Sequence, residues 1–272
     1  MTRRVEPFLK WPGGKRWLVP RLIELIGDLS FDRYFEPFAG GAALFFALEP
    51  RSAVLSDINA DLINTYRQVR RYAPEITRKL RSLSVDRETY YDLRSQEPNR
   101  LIDRAVRFLY LNRTAFGGIY RLNREGRFNV PYGGGKRSPE ILWRRDLLRS
   151  AARVLRRSEL RAGDFQLVLQ EAGAGDLVYC DPTYTVSHSD NGFVRYNELN
   201  FQWEDQKRLA EVCMELRARG ATVLVSNASH SAVRAVFKHA EVYSFSRPST
   251  VCPRSVARRV VHEDVFIFRR EK

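Results

Sequence analysis

The chain has 272 residues, 44% of them hydrophobic and 29% charged, a balance that supports a real core and excludes a disordered, collagenous or coiled-coil protein. Lys and Arg number 46 against 32 Asp and Glu, and the net charge of +14 points to a polyanionic partner. Three cysteines without paired spacing exclude a disulfide framework and a zinc cluster, and with them an oxidising compartment.

The basic start, Met1-Thr2-Arg3-Arg4, leads into no apolar stretch, so no signal peptide is expected, and no apolar run reaches the length of a membrane span. A cytoplasmic protein is the expectation. Apolar spacing predicts a helix over Trp17–Ile26 and a buried strand over Arg33–Phe38. Gly40-Gly41 reads as a tight turn into a short helix, Ala42–Leu48, and a second strand, Ala53–Ser56, ends at Asp57. Alternating strands and helices imply a parallel α/β sheet with ligands at the carboxyl ends of its strands.

The middle of the chain changes character. Ala60–Tyr72, Glu75–Leu83 and Leu101–Asn112 have amphipathic helical spacing, Gly117–Gly135 reads as a hairpin and loop, and helical spacing resumes over Ser138–Leu155. Residues 61–160 hold 23 basic and 11 acidic side chains, against 8 and 7 in residues 1–60 and 15 and 14 in residues 161–272. A positive field concentrated in this way suits nucleic acid, where phosphate contacts release counterions. A membrane surface would favour one amphipathic stripe, whereas these residues spread over several helices and loops. Codon bias accounts for Arg supplying 39 of the 46 cations but not for an excess that avoids both ends. After Arg161 the α/β rhythm returns, with strands expected at Asp176–Cys180, Ala221–Ser226, Val242–Ser246 and Asp264–Phe268 and a helix over Glu204–Arg219. The organisation is an α/β domain, residues 1–60 and 157–272, split by a mainly helical insertion, residues 61–156.

Three short motifs carry chemistry. Glu36-Pro37-Phe38-Ala39-Gly40-Gly41 sits at a strand-to-helix turn, where small residues let a ligand approach the backbone. Asp57 closes the next strand, where an acid accepts hydrogen bonds from a ribose diol. Separately these are an ordinary turn and an ordinary cap; together they suit a nucleoside cofactor. Asp181-Pro182-Thr183-Tyr184 follows a buried strand. An exocyclic amino group on a base is a poor nucleophile until acceptors on its two N–H bonds localise the lone pair. The Asp181 carboxylate and the Pro182 carbonyl can be those acceptors while Tyr184 stacks on an extruded base, although the same residues also make a plain Asp-Pro turn. Phe8-Leu9-Lys10-Trp11-Pro12-Gly13-Gly14-Lys15 places two lysines and a tryptophan on a loop suited to a carboxylate or phosphate.

In combination these motifs resemble the Dam-type, class alpha (D12) family of N6-adenine-specific DNA methyltransferases. The resemblance extends through Phe8–Lys15, Glu36–Gly41, Ser56–Asn59, Phe108–Arg113, Phe128–Gly133, Val178–Tyr184 and Ser226-Asn227, nearly the whole chain. It implies a Rossmann-like methyltransferase sheet with an inserted target-recognition domain, S-adenosyl-L-methionine as cofactor, and double-stranded DNA as partner. It further implies methyl transfer to a flipped-out adenine at GATC or a looser related site, as in restriction-modification, by an enzyme monomeric in solution. Carried over by position, Trp11, Lys15, Phe38, Gly40, Asp57 and Asp181 are expected at the cofactor, and Asp181, Pro182 and Tyr184 at the reacting amino group. Arg121 is expected to read a guanine, Phe116 to insert between bases, and Asn123 and Asn129 to share their hairpin.

Three departures from the family pattern stand out. Thr183 replaces the usual second proline of the tetrapeptide, Ala42 replaces the last glycine of the commoner cofactor motif, and Gly117 and Gly134 stand where GATC readers carry Asn and Arg. Two alternatives remain open at this level: transfer to cytosine N4, which needs the same chemistry, and a catalytically impaired DNA-binding relative. Cytosine C5 chemistry is excluded, because Cys180, Cys213 and Cys252 lack the Pro-Cys context of a thiolate nucleophile. His188, His230, His239 and His262 show no ligand spacing, so no metal is expected.

Overall fold

Short buried strands alternating with amphipathic helices give the mixed α/β, Rossmann-like class that the sequence implies. The computed structural model describes residues 5–123, 125–135, 138–185, 201–248 and 260–269. The first elements are α1 (Val19–Ile26), β1 (Tyr34–Glu36), α2 (Ala43–Leu48) and β2 (Ala53–Asp57). Three helices follow, α3 (Ala60–Arg81), α4 (Arg87–Ser95) and α5 (Leu101–Thr114), and after the hairpin come α6 (Pro139–Leu142) and α7 (Arg145–Leu155). The chain continues with β3 (Ser158–Ala162), α8 (Phe165–Leu169), β4 (Leu177–Cys180), α9 (Trp203–Arg219), β5 (Thr222–Ala228), α10 (Ser231–Val236), β6 (Glu241–Pro248) and β7 (Val260–Phe268).

Several boundaries differ from the predicted ones for physical reasons. Helix α1 starts at Val19 rather than Trp17, with Pro20 in its first turn, where the missing N–H has no partner to lose. The two helices predicted on either side of Pro74 are one helix, α3, with non-helical dihedrals at Tyr72 (φ −129°, ψ 29°). Proline bends rather than ends it, because Leu62, Tyr66, Val69, Ala73, Ile76 and Leu80 bury one continuous face across the kink. Helix α4 escapes the apolar pattern because Tyr90 is its one buried residue; it is nucleated by the Asp86 carboxylate, which accepts from the Thr89 N–H. The segment predicted as one helix over Ser138–Leu155 is divided into α6 and α7, and β3, α8 and α10 lie outside the predicted elements.

The chain divides into two compact units. The first is formed by Met1–Leu29 and Ala39–Gly163 and contains the whole of the basic middle segment. Within it β2 and β3 pair in parallel, from Ala53 against Ser158 to Asp57 against Ala162, and α3 packs on α5 and α7. The second is formed by Ser30–Phe38 and Asp164–Lys272. Its strands run in the order β1-β4-β5-β7-β6, parallel from β1 to β5 and antiparallel at β7 and β6. The β4 strand is buried along its whole length and delivers the chain to Asp181.

Candidate active site

The first unit holds a carboxylate wired to main chain. Asp57 ends β2, and its two oxygens accept the N–H groups of Gly40 (3.0 Å) and Asn59 (2.9 Å). Burial pushes its carboxyl above the usual aspartate range, against the pull of those two donors. Gly40 has φ +44°, and a Cβ there would lie 2.7 Å from Cδ1 of Trp11, so only glycine lets the indole lie on this turn. The Tyr66 hydroxyl donates to the Gly40 carbonyl at 2.8 Å. Trp11 stacks on Tyr120 (5.7 Å, 20°) and Phe108 (6.5 Å, 18°), and burial pushes the Tyr120 phenol up to about 12. The loop that carries Trp11 is clamped by Asn112: the Lys10 N–H donates to its Oδ1 (2.9 Å), and its Nδ2 donates to the Lys10 carbonyl (2.6 Å). Lys15 is buried, with Nζ donating to the Gly13 carbonyl at 3.0 Å.

Ala42 departs from the glycine of the related motif at a cost. It caps α2 in the left-handed region (φ 48°, ψ 45°), where a side chain is strained, and its methyl group is buried.

In the second unit Asp181 is wired to side chains. The Ser226 hydroxyl donates to its Oδ1 at 2.8 Å, and the Tyr179 hydroxyl lies 3.0 Å from the same Ser226 oxygen. Ser226 and Asn227 are fully buried on β5. Asn227 Nδ2 donates to Gln206 Oε1 (3.1 Å), and Gln206 Nε2 donates to Thr185 Oγ1 (3.4 Å), so the turn after Asp181 is braced from behind. Pro182 is buried, and the ring of Tyr184 is half-buried. Burial, with the negative charges of Asp181 and Glu263 beside it, pushes the Tyr184 phenol well up and keeps it protonated. Phe38 packs against Phe165 (5.2 Å) and Phe201 (5.5 Å) in this unit.

The hairpin after α5 is built by its own polar groups. The Asn123 side chain accepts the N–H groups of Glu125 (3.1 Å) and Arg127 (2.9 Å), which shapes the turn. Arg121 Nε donates to Asn129 Oδ1 at 2.8 Å, so one predicted DNA-facing residue orients another. Phe116 is 61% exposed, an unusual placement for a large aromatic ring. Gly117 (φ +63°) and Gly134 (φ +66°) are in the left-handed region, and nothing lies within 4 Å of a Cβ built at Gly134.

The structure thus distributes the predicted residues. Trp11, Lys15, Gly40 and Asp57 belong to the first unit together with the hairpin, and Phe38, Asp181, Pro182 and Tyr184 belong to the second. Sequence reasoning assigned no role to Asn112, Ser226 or Tyr179; all three stood in the matching blocks, but their service to Lys10 and Asp181 is visible only in three dimensions. Cys180 and Cys213 are buried thiols pushed up by that burial. Among the described residues no group of three or more His, Cys, Asp or Glu is placed to hold a metal ion, and no helix is long and apolar enough to cross a membrane. Cys252 and His188 lie outside the described residues.

Comparison with known proteins places the chain in a family. The family model for D12 class N6 adenine-specific DNA methyltransferases matches residues 11–251. The type II methyltransferase M1.LlaDCHI of Lactococcus lactis subsp. cremoris is 35% identical over 269 residues, covering 95% of this chain and 94% of the relative. The DNA adenine methylase of Serratia marcescens is 32% identical over 98% of this chain and 100% of its own. That of Escherichia coli (strain K12) is 31% identical, over 98% and 96%.

Proposed function

Because the chain belongs to the D12 class of N6 adenine-specific DNA methyltransferases, we propose that it methylates a flipped-out adenine in double-stranded DNA with S-adenosyl-L-methionine as donor. The observation that carries this reading is Asp181 at the end of β4, a strand-end carboxylate held in place by a buried hydroxyl. Asp181 and the Pro182 carbonyl accept the two N–H bonds of the amino group, which frees its lone pair for attack, and Tyr184 stacks on the base. The tyrosine is kept neutral, which suits a stacking surface. The proton leaves for solvent once methylation has made the nitrogen acidic, so no histidine or metal is required.

S-adenosyl-L-methionine supplies, when bound, an electrophilic methyl group. The residues of the first unit fit it: Asp57 offers a carboxylate to a ribose diol, the Gly40 turn a seat for the indole of Trp11, Trp11 an aromatic face, and Lys15 a cation for a carboxylate. Thr183 removes neither acceptor of the tetrapeptide, which favours activity over an impaired relative. Residues 61–156 act as the target-recognition domain, on a scaffold that works as a monomer in the cytoplasm. In it Arg121, oriented by Asn129, pairs with guanine; Phe116 wedges between bases; and Asn123 holds the turn that presents them.

With Arg121 on guanine the site contains adenine beside guanine, and because Gly117 and Gly134 supply no side chain it is GATC or a looser related site. The test is methylation of randomised duplex DNA by the purified protein, read by modified-base sequencing. N6-methyladenine in a defined motif is expected, and Arg121→Ala is expected to relax one position by about 1–3 kcal/mol of discrimination. Methylcytosine, or no modified base, overturns the reading.

A further inference from the structure

We propose that the outward face of α3 is a second DNA-binding surface, an arginine track that holds the phosphate backbone of the duplex outside the base pairs read by the hairpin. The proposal rests on the reading of the chain as a DNA-acting enzyme and of the hairpin as its recognition element.

The track is a property of helical spacing. Arg67, Arg71, Arg78 and Arg81 follow one another at intervals of four, seven and three residues, which places them on one face of α3, opposite its buried face. Like charges one turn apart destabilise a helix, so this arrangement is unfavourable for α3 alone. Glu75, between Arg71 and Arg78 on the same face, offsets only part of it, while Asp61 pairs with Arg104 at 2.5 Å and Asp103 with Lys79 at 2.9 Å.

The cations also line real concavities. A groove of about 1020 Å³ is lined by Arg67, Arg70, Arg71, Arg100 and Arg156, with Glu75 its one carboxylate. Arg67 and Arg70 are held in place by the carbonyls of Leu160 (2.6 Å) and Ser158 (2.8 Å), neutral acceptors that fix a guanidinium without cancelling its charge. Farther along α3 a second groove, about 480 Å³, is lined by Arg78, Arg81 and Arg149 and by no carboxylate.

The shape favours a polymer over a small anion. Arg67 and Arg81 are fourteen residues apart on α3, at most about 21 Å at the helical rise given the bend at Tyr72, up to roughly six base-pair steps of duplex. A single phosphate needs convergent donors, whereas phosphates repeated along a strand fit an extended row. The first groove is lined by the first residues of α5, Leu101 and Ile102, and the hairpin follows its last, Thr114. The two surfaces are therefore about a 21 Å helix apart, and a duplex on the hairpin must extend beyond the read base pairs to meet the track.

The test compares the full chain with Arg71→Gln/Arg78→Gln/Arg81→Gln, and with the corresponding triple lysine variant, on duplexes of about 12 and 40 base pairs carrying one methylatable site. Binding is read by fluorescence anisotropy across a salt series. On the long duplex the glutamine variant is expected to lose about two to three units of salt slope, at about 0.9 per lost phosphate contact, and the lysine variant to keep the native slope. On the short duplex all three are expected to bind alike. Equal slopes on the long duplex, or equal losses on both lengths, overturn the proposal. Failure of the native chain to methylate either duplex overturns the functional reading instead, while the slopes still report on the track. Melting temperatures of the variants at or above the native value exclude misfolding as the cause.

Discussion

Asp57 and Asp181 both end parallel strands, yet they are held in opposite ways. Asp57 is fixed by main-chain N–H groups of Gly40 and Asn59, and Asp181 by the side chain of Ser226, itself in contact with Tyr179. A main-chain cradle survives any substitution that preserves the fold, so a change at Asp57 reports on Asp57. A side-chain cradle can be dismantled one hydroxyl at a time. The comparison teaches where tuning is possible: the proposed reacting end is adjustable through its neighbours, the proposed donor end through the acid alone.

The largest effect is expected from Asp181→Ala. Losing an acceptor used mainly in the transition state costs about a hundredfold or more, so methyl transfer measured in single turnover should collapse while the melting temperature holds. Near-native turnover would remove Asp181 from the chemistry.

Next comes Asp57→Ala, expected to weaken donor binding by about 1.5–3 kcal/mol in calorimetry, as for a lost charge-assisted hydrogen bond. Protonation should mimic it. A carboxyl raised by burial takes up its proton at a higher pH than an ordinary aspartate, and the neutral form is the poorer acceptor. Donor affinity is therefore expected to be full at neutral pH and lost as pH falls through that raised value, with Asp57→Asn flattening the profile. An unchanged profile in the variant would show that another group titrates.

A smaller loss is expected from Ser226→Ala. Freed from its buried donor, Asp181 should turn over about tenfold more slowly, roughly 1.4 kcal/mol, with KM for DNA and donor unchanged. A change confined to KM would place Ser226 in binding instead.

The smallest concerns Ala42→Gly. Relief of left-handed strain, about 1–2 kcal/mol, is offset by one buried methyl group at about 0.8 kcal/mol and by added chain entropy. The terms nearly cancel, so thermal unfolding should stay within a few degrees of the parent, and a large drop would show that the methyl group is a packing necessity.

What the sequence disclosed follows from what is local. Strand ends, the Gly40 turn and the hairpin were legible because small residues and short apolar runs announce themselves. Pro74 misled because a proline reads as a stop, whereas the buried face of α3 continues through it. Helix α4 was invisible because one buried tyrosine makes no periodicity. Ser226 was legible as part of a block but not as a brace, since its partners Tyr179 and Asp181 are 47 and 45 residues away. Asn123 carried the polarity of a reader, while its side-chain oxygen shapes its own turn.

The clamp of Asn112 on Lys10 also sets an order of events during synthesis. The two residues are 102 apart, so the loop that carries Trp11 has its fastening only after α5 has been made. At about 5–20 residues per second, the Trp11 loop, the earliest-translated part of the proposed donor site, waits on the order of ten seconds for its fastening. A nascent chain stalled before Asn112 would therefore present that loop unfastened, and ribosome-bound fragments ending on either side of α5 should differ in their protection of Trp11 from solvent quenchers.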